Sequence, residues 1–367
     1  MAAVVTSARE RILLDAARTG DEVAYQQLVE PLRGELQAHC YRMLGSLHDA
    51  EDALQDALLR AWRALPRFAG RSSLRSWLYR IATNTCLDLM GKRPKRVVPL
   101  DHSPEADPHL GPGAPLVESV WIEPFPDGPL GLASGLAGPE ARYEARESVE
   151  LAFVAALQHL PASQRAVLIL REVLGFSARE TSEILDTSEA GVNSALQRAR
   201  KTLQDRLPDR SQQQTLRQLG DAAVEAIVAG YVDAWERGDV DAVVSMLTED
   251  AALTMPPMPT WYRGPGIVVF LRDWAFSGRV YDSEGRRRVR TIPTIASGQL
   301  AFGTYSWVPE RGAFLPTVLQ VLTLRGERIE EICGFVEPAI FPDFGLPASL
   351  PESFDEDRIL ARSGPPD

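Results

Sequence analysis

Lysine is nearly missing from this chain. Lys92, Lys95 and Lys201 are the only three among 367 residues, and arginine carries the remaining positive charge. We attribute that bias to a GC-rich coding sequence rather than to mechanism. Cysteine is scarce as well. Cys40, Cys86 and Cys333 are odd in number, far apart and form no C-x-x-C pair. That excludes a disulfide framework, argues against a zinc site and suits a reducing cytoplasm. All five histidines lie before residue 160, so the C-terminal part has no imidazole for metal binding or proton transfer. No apolar run is long enough to span a bilayer. Met1–Ser7 lacks the basic start and apolar core of a signal peptide. The reading therefore includes no metal, no cofactor and no membrane.

What is present is sharply segregated. The length predicts two or three domains, and an apolar content of 45% is ample for their cores. The net charge of −11 argues at first against nucleic acid. Its distribution reverses that argument. Between Arg60 and Leu100 ten Arg and Lys stand against Asp88 alone, whereas Asp101–Leu160 holds ten acids against Arg142 and Arg146. From Ser211 onward there are 22 acids and 14 arginines. One basic module sits between acidic ones, which points to nucleic acid for the first and to protein contacts for the others.

The stretch Ser46–Arg96 carries the most information. Leu47, Ala50, Leu54, Ala57, Leu58 and Ala61 recur at helical spacing as a buried stripe, and Asp49, Asp52 and Asp56 share another face. Ser46 with Asp49 reads as a cap, so acids in the first turn also complement the helix dipole. Asp56, two turns in, falls outside that explanation. A second helix is predicted on Leu74, Leu78, Ile81, Ala82 and Leu89, with Trp77, Arg80 and Asn84 on its other side. Trp77 reads either as core or as a wedge against unstacked bases. Gly70, Arg71, Ser72 and Ser73 form a polar loop suited to phosphates or a splayed base.

HDAEDALQDALLRAW followed by FAGRSSLRSWLYRIATNTCLD resembles region 2 of extracytoplasmic-function sigma factors, the small promoter-specificity subunits of bacterial RNA polymerase. The likeness runs from about Ala24 to Arg96. It implies that the acidic helix, through Asp49, Asp52, Gln55, Asp56 and Trp62, docks on the polymerase clamp. It implies also that Phe68, Arg71, Ser72, Ser73, Arg75, Trp77, Arg80 and Asn84 open and read the −10 element.

Upstream, Arg9–Arg18 and Glu22–Leu44 read as helices, and Pro31 predicts a kink or a split in the second. Residues 97–139 read as an acidic, Pro/Gly-rich linker, largely irregular. Its aromatic island, Val120–Pro126 with Trp121 and Phe125, is expected to dock rather than dangle. Sigma linkers of this family are acidic and cross the polymerase active-site channel, and those with a C-terminal extension often carry such a Trp-Pro motif.

Residues 140–208 form a second helical unit, with helices on Leu151–Leu157 and Ala162–Leu174 and a break at Gly175. Ser177 and Glu180 make a capping box. Asp186-Thr187-Ser188 is a turn, and the helix after it buries Val192, Leu196, Ala199 and Leu203. That is a helix-turn-helix over 177–201, or an ordinary helical hairpin. PASQRAVLILREVLGFSARETSEILDTSEAGVNSALQRARKTL resembles sigma region 4 throughout, which favours the first and implies contact with the polymerase flap. Ser188, Asn193, Ser194, Gln197, Arg198 and Lys201 are the −35 candidates, since amide side chains read adenine and Arg reads guanine or phosphate. The family usually places Arg where this chain has Asn193, Ser194 and Ala195, so −35 specificity does not transfer.

Residues 215–345 change character to helices and then strands at Ala251–Met255, Val289–Ala296, Leu300–Val308, Leu315–Arg325 and Ile329–Phe335, with a helix at Gly264–Phe276. The order predicts an α+β domain with a long antiparallel meander. AIVAGYVDAWERGDVDAVVSMLTEDAALTMPPMPTWYRGPGIVVFL resembles the SnoaL-like branch of the NTF2-like fold. Tyr231, Trp235, Met255, Trp261, Phe270 and Trp274 read as the lining of an apolar pocket for a small-molecule ligand or equally as plain core. Asp233, Glu236 and Glu331 are acid/base candidates by residue type alone. Residues 346–367 read as a flexible tail.

The fold expected is thus two all-α sigma domains, 8–96 and 140–208, followed by the α+β domain. The function expected is that of a cytoplasmic, non-enzymatic sigma factor of actinobacterial type, bound to core RNA polymerase and promoter DNA. Its C-terminal domain would modulate activity, and no anti-sigma partner is named. Two competing classes are a ligand-responsive helix-turn-helix regulator acting without polymerase and a SnoaL-like isomerase or cyclase. The first has no need of the acidic and basic N-terminal helices. The second needs a matched acid/base pair.

Overall fold

The computed structural model describes residues 8–116, 121–128, 144–204, 206–277 and 288–353. It divides into two compact units. The first gathers residues 1–101, 116–214 and 296–298; the second gathers residues 102–115, 215–295 and 299–367. Among the described residues no helix is long and apolar enough to cross a membrane.

In the first unit α1 (Ala8–Arg18), α2 (Glu22–Leu44), α3 (Leu47–Ala64) and α4 (Leu74–Met90) share one core. Three of the starts are capped by side chains: Ser46, as expected, accepts the amide of Asp49, and Asp21 and Ser73 accept those of Ala24 and Ser76. Helix α2 is not split at Pro31. The residue is exposed, as is Gln27, whose carbonyl loses its partner, so water can take the place of the missing bond. The second half of the unit contains α5 (Leu151–Gln158), α6 (Ala162–Leu168), α7 (Ala178–Leu185) and α8 (Glu189–Gln204). The single helix expected at Ala162–Leu174 instead passes from α6 into a π-turn at Ile169–Val173. Helix α7 has the full capping box, and Asp186 ends it at φ +52°. Ser188 accepts the amide of Gly191 and starts α8.

The aromatic island is buried within this unit. Trp121, Ile122 and Phe125 lie below 10% exposure, and Phe125 packs on Tyr41 with ring centres 4.5 Å apart. Residues 117–120 and 129–139 of the linker lie outside the described residues, as do residues 140–143 after it.

After α9 (Gln212–Leu219), the second unit has α10 (Asp221–Arg237), α11 (Val240–Ser245) and α12 (Pro265–Phe270) with a π-turn at Leu271–Ala275. Its strands are β1 (Leu247–Thr254), β2 (Trp261–Arg263), β3 (Val289–Ala296), β4 (Gln299–Val308), β5 (Ala313–Arg325), β6 (Arg328–Phe335) and β7 (Leu350–Pro351). They form one sheet in the order β2-β1-β6-β5-β4-β3, with β7 also on β5. The expected antiparallel meander needs correction: β1 lies parallel to β6, so the sheet is mixed. Ala251, Leu253, Leu300, Phe302, Leu322 and Ile332 share a core with Ile227, Tyr231 and Trp235 of α10. The flexible tail expected from residue 346 is also corrected. Leu346 and Leu350 are buried, and β7 pairs with Phe314 on β5. Residues 354–367 lie outside the described residues.

Candidate polymerase-binding and DNA-binding surfaces

Helix α3 sorts its acids by burial. Asp52 and Gln55 are exposed, and Asp56 is half-buried with a 2.8 Å ion pair to Arg60. Arg60 also reaches Asp88 at 3.0 Å. Asp49 departs from the expected shared face, being only 4% exposed. Its carboxylate receives Arg96 at 2.6 Å and 3.1 Å, and Arg93 as well. Glu123 of the aromatic island takes the other side of Arg96 and also accepts from Ser46. Asp49 is therefore a buried tie rather than a docking residue. The surface also has a member the sequence reading passed over. Leu59 is 46% exposed beside this acidic face. It falls seven residues after Asp52, off the apolar stripe, and that spacing is the signal that would have found it. Trp62 is half-buried and packs on Tyr25 at 5.0 Å.

The loop before α4 and the start of that helix form a basic recess. Arg67, Phe68, Arg71, Ser72, Ser73, Trp77 and Arg80 line one side of a cavity of about 540 Å³. Gly70 makes the turn with φ +66°. Phe68 is buried and packs on half-buried Trp77 at 4.8 Å, so Trp77 is both part of the packing and part of the wall. The opposite wall comes from α7, with Arg179, Glu180, Glu183 and Ile184. Two expected members are placed elsewhere. Arg75 pairs with Glu35 at 3.1 Å and lies over Tyr79 and Phe176 at 4.9 Å and 4.8 Å. A guanidinium held by a carboxylate and two aromatic faces acts as a tie between α4 and the segment before α7. Asn84 is exposed farther along α4 and does not line the recess.

On α8 the outcome is simpler. Val192, Ala195, Leu196, Ala199 and Leu203 are buried, while Ser188, Asn193, Ser194, Gln197, Arg198 and Lys201 are all exposed. Arg200 is engaged by Glu172 at 2.6 Å.

In the second unit four of the expected pocket residues, Tyr231, Trp235, Met255 and Phe270, are buried members of the core cluster; Tyr231 packs on Trp235 and Phe302. Trp261 and Trp274 bind the linker segment that belongs to this unit. Trp261 donates to the Ser103 carbonyl at 2.8 Å, and Trp274 to that of Pro108 at 3.0 Å. Ala106 donates to the Trp261 carbonyl, Arg263 donates its amide to Glu105, and Thr260 donates to the Pro112 carbonyl. The three acid/base candidates are engaged separately. Asp233 pairs with Arg237, and buried Glu236 accepts the Thr291 amide. Burial pushes Glu331 up to about 7, with Thr254 its polar neighbour.

Comparison with known proteins decides among the competing classes. Residues 28–96 match Sigma-70 region 2, residues 150–203 match Sigma-70 region 4, and residues 228–332 match the SnoaL-like domain. The chain is 42% identical over 334 residues to the ECF RNA polymerase sigma factor SigG of Mycobacterium tuberculosis, covering 91% of this chain and 86% of that one. This chain belongs to the extracytoplasmic-function sigma factors of RNA polymerase. It is also 28% identical to the sigma-E factor of Escherichia coli, over 54% of this chain and 94% of the relative. The fold is shared with the crystal structure of SigJ from Mycobacterium tuberculosis, at 22% identity and TM-score 0.53, covering 88% of this chain and 99% of that one. As a sigma factor the chain binds RNA polymerase and directs initiation at promoters. The recess then has its Ser72 and Trp77 wall in region 2 and its α7 wall in region 4, the exposed face of α8 lies in region 4, and the strap from Ser103 to Pro112 joins the linker to the SnoaL-like domain.

Proposed function

We propose that the exposed face of α3, formed by Asp52, Gln55 and Asp56 with Leu59, docks on the clamp of core polymerase. The recess of Arg71, Ser72, Ser73, Trp77 and Arg80 receives the −10 strand, and the free face of α8 reads the −35 element in the major groove while region 4 meets the flap. The chain performs no reaction of its own, and core supplies catalysis in the cytoplasm. The observation that carries this reading is the division of labour on α3. Its buried acid is consumed by arginines of the same fold, whereas exposed Asp52 and Gln55, with Asp56 paired to Arg60 at the surface, border an uncovered leucine, the composition of a protein-docking surface. The SnoaL-like domain modulates activity, supported by its hold on the linker. A small-molecule ligand for that domain has weaker support, since Tyr231, Trp235, Met255 and Phe270 are buried in its core cluster. The test is run-off transcription and co-elution with core polymerase for Asp52→Arg combined with Asp56→Arg. We expect loss of both with unchanged thermal unfolding; normal co-elution rejects the docking face.

A further inference from the structure

The first unit contains a second lined cavity, of about 430 Å³, away from the recess at Trp77. Its walls come from the end of α4 and the segment after it, together with α5, α6 and the turn between them. Leu87, Leu89, Met90 and Leu160 supply apolar surface. The charged lining is one-sided: Arg93, Lys95, Arg96 and Arg165 against Asp49 alone. Asp49 is already shared by Arg93 and Arg96.

Arg165 is the unusual member. It is 3% exposed, and its partners are all neutral: the carbonyls of Met43, Gln158 and Leu160 and the side-chain oxygen of Gln158. Its Nε is buried and has no hydrogen-bond partner among the described residues. Burial alone pushes its pKa down to about 10. The carbonyl bonds explain how the guanidinium ties α2 to α6. They do not supply a counter-charge, and a buried cation without one is costly. Lys95 stands at the rim; its hydrogen-bond contact among the described residues is a ring nitrogen of His159 at 3.3 Å, whose other nitrogen meets Asp101 at 3.1 Å. Its pKa is held down by partial burial and then by the charge of Arg165. Two cations therefore converge on a cavity whose lining carboxylate, Asp49, is taken up by Arg93 and Arg96, while Asp101 reaches Lys95 by way of His159.

We infer that this cavity binds a small amphipathic oxyanion, its charged head between Arg165 and Lys95 and its apolar body along Leu87, Leu89, Met90 and Leu160. The volume falls within the usual range for small-molecule sites. The head group takes its charge-assisted bond from Lys95, and Arg165, whose donors are held by carbonyls or buried, adds its positive charge behind it. Because the cavity joins the end of region 2 to the start of region 4, an occupant holds those two regions together. The site therefore adds an input to the chain that is independent of the SnoaL-like domain.

Carboxylates and phosphate monoesters share this chemistry, and the experiment separates them. Octanoate, octyl phosphate and inorganic phosphate are titrated calorimetrically into the full chain. The same titrations are run on Lys95→Gln, Arg165→Gln and, as a control of equal charge change outside the cavity, Lys92→Gln. We expect saturable one-to-one binding of octanoate or octyl phosphate, the tighter one naming the head group, with inorganic phosphate weaker for want of an apolar body. We expect Lys95→Gln to weaken that binding by about tenfold, the scale of one charge-assisted contact, with Lys92→Gln unchanged. Arg165→Gln abolishes it if the variant folds, and Lys95→Gln decides if it does not. Absence of saturable binding by both probes, or equal binding by Lys95→Gln and Lys92→Gln, overturns the site.

Discussion

Asp49 and Asp52 stand three residues apart on α3 and do different work. The acidic stripe was legible in the sequence, but its division was not. The partners that bury Asp49 are Arg93 and Arg96, more than forty residues on, and no local pattern announces them. Asp49→Asn leaves Arg96 buried with Glu123 as its remaining carboxylate. The expected cost is on the order of 2–4 kcal/mol, read by chemical unfolding. This is the counterpart of the Asp52 and Asp56 double variant, which should lose core binding and keep stability. Trp77 poses the same question, since the sequence left open whether it was core or platform. Its half-burial against Phe68 inside the recess makes it both. Trp77→Ala should therefore lower stability by about 1–3 kcal/mol and also reduce strand opening more than initial promoter binding. Asn84→Ala should leave stability intact and, lying outside the recess, affect opening little. Unchanged permanganate reactivity of the −10 thymines in Trp77→Ala would count decisively against the recess.

At the scale of elements, most helices and five of the strands could be read because periodicity and capping are local. What escaped was non-local or irregular. The π-turns at Ile169–Val173 and Leu271–Ala275 carry no sequence signature that separates them from an α-helix. The parallel pairing of β1 with β6 joins strands far apart in sequence, so adjacency rules predicted a meander instead. The start of α9 is another such case. Glu150, 3% exposed, accepts the amides of Gln212 and Gln213 and so caps a helix sixty residues later. Burial raises its pKa from the ordinary 4.5 to about 7, opposed by those two amides and assisted by the charge of Glu147. The folded chain thus holds this proton over a range in which the unfolded chain has released it. The contribution of Glu150 to stability must fall as pH rises from about 4.5 through 7. Glu150→Gln removes the titration and keeps an acceptor oxygen. Relative to wild type, the variant should gain on the order of 2 kcal/mol between pH 5 and pH 8. A constant difference in unfolding free energy over that range refutes the assignment.

At the scale of the whole molecule, the order of domains and the segregation of charge were legible, because composition changes abruptly at each boundary. The strap was not. A Pro/Gly-rich segment with no periodicity gives no sign of which surface it will follow, and Trp261 and Trp274 looked like pocket walls rather than partners for backbone carbonyls. Gly111 shows how closely the strap is fitted. Its φ is +75°, and any Cβ there would meet the Trp274 ring at 2.9 Å. On the reading proposed above, the linker lets regions 2 and 4 reach two separate promoter elements, and a domain that holds part of it would limit how much chain is free to extend. The acidic C-terminal part, from Ser211 onward, is of opposite sign to the basic stretch from Arg60 to Leu100. Attraction of that kind is screened over about 8–10 Å at physiological salt. The hydrogen bonds to Ser103, Pro108 and Pro112 are short-ranged and survive such screening. Cutting the chain after Leu207 removes Thr260, Trp261, Arg263 and Trp274, the described residues that hold the strap, and should change run-off transcription from the cognate promoter several-fold, with loss of regulation rather than simple inactivity. Gly111→Ala should move output in the same direction by a smaller factor, together with faster proteolysis between Ser103 and Gly113, because it dislodges the strap without deleting the domain. Equal transcript from the truncated and full chains across salt concentrations would leave the SnoaL-like domain no direct part in initiation. Equal proteolysis of Gly111→Ala and wild type would instead place control outside the strap.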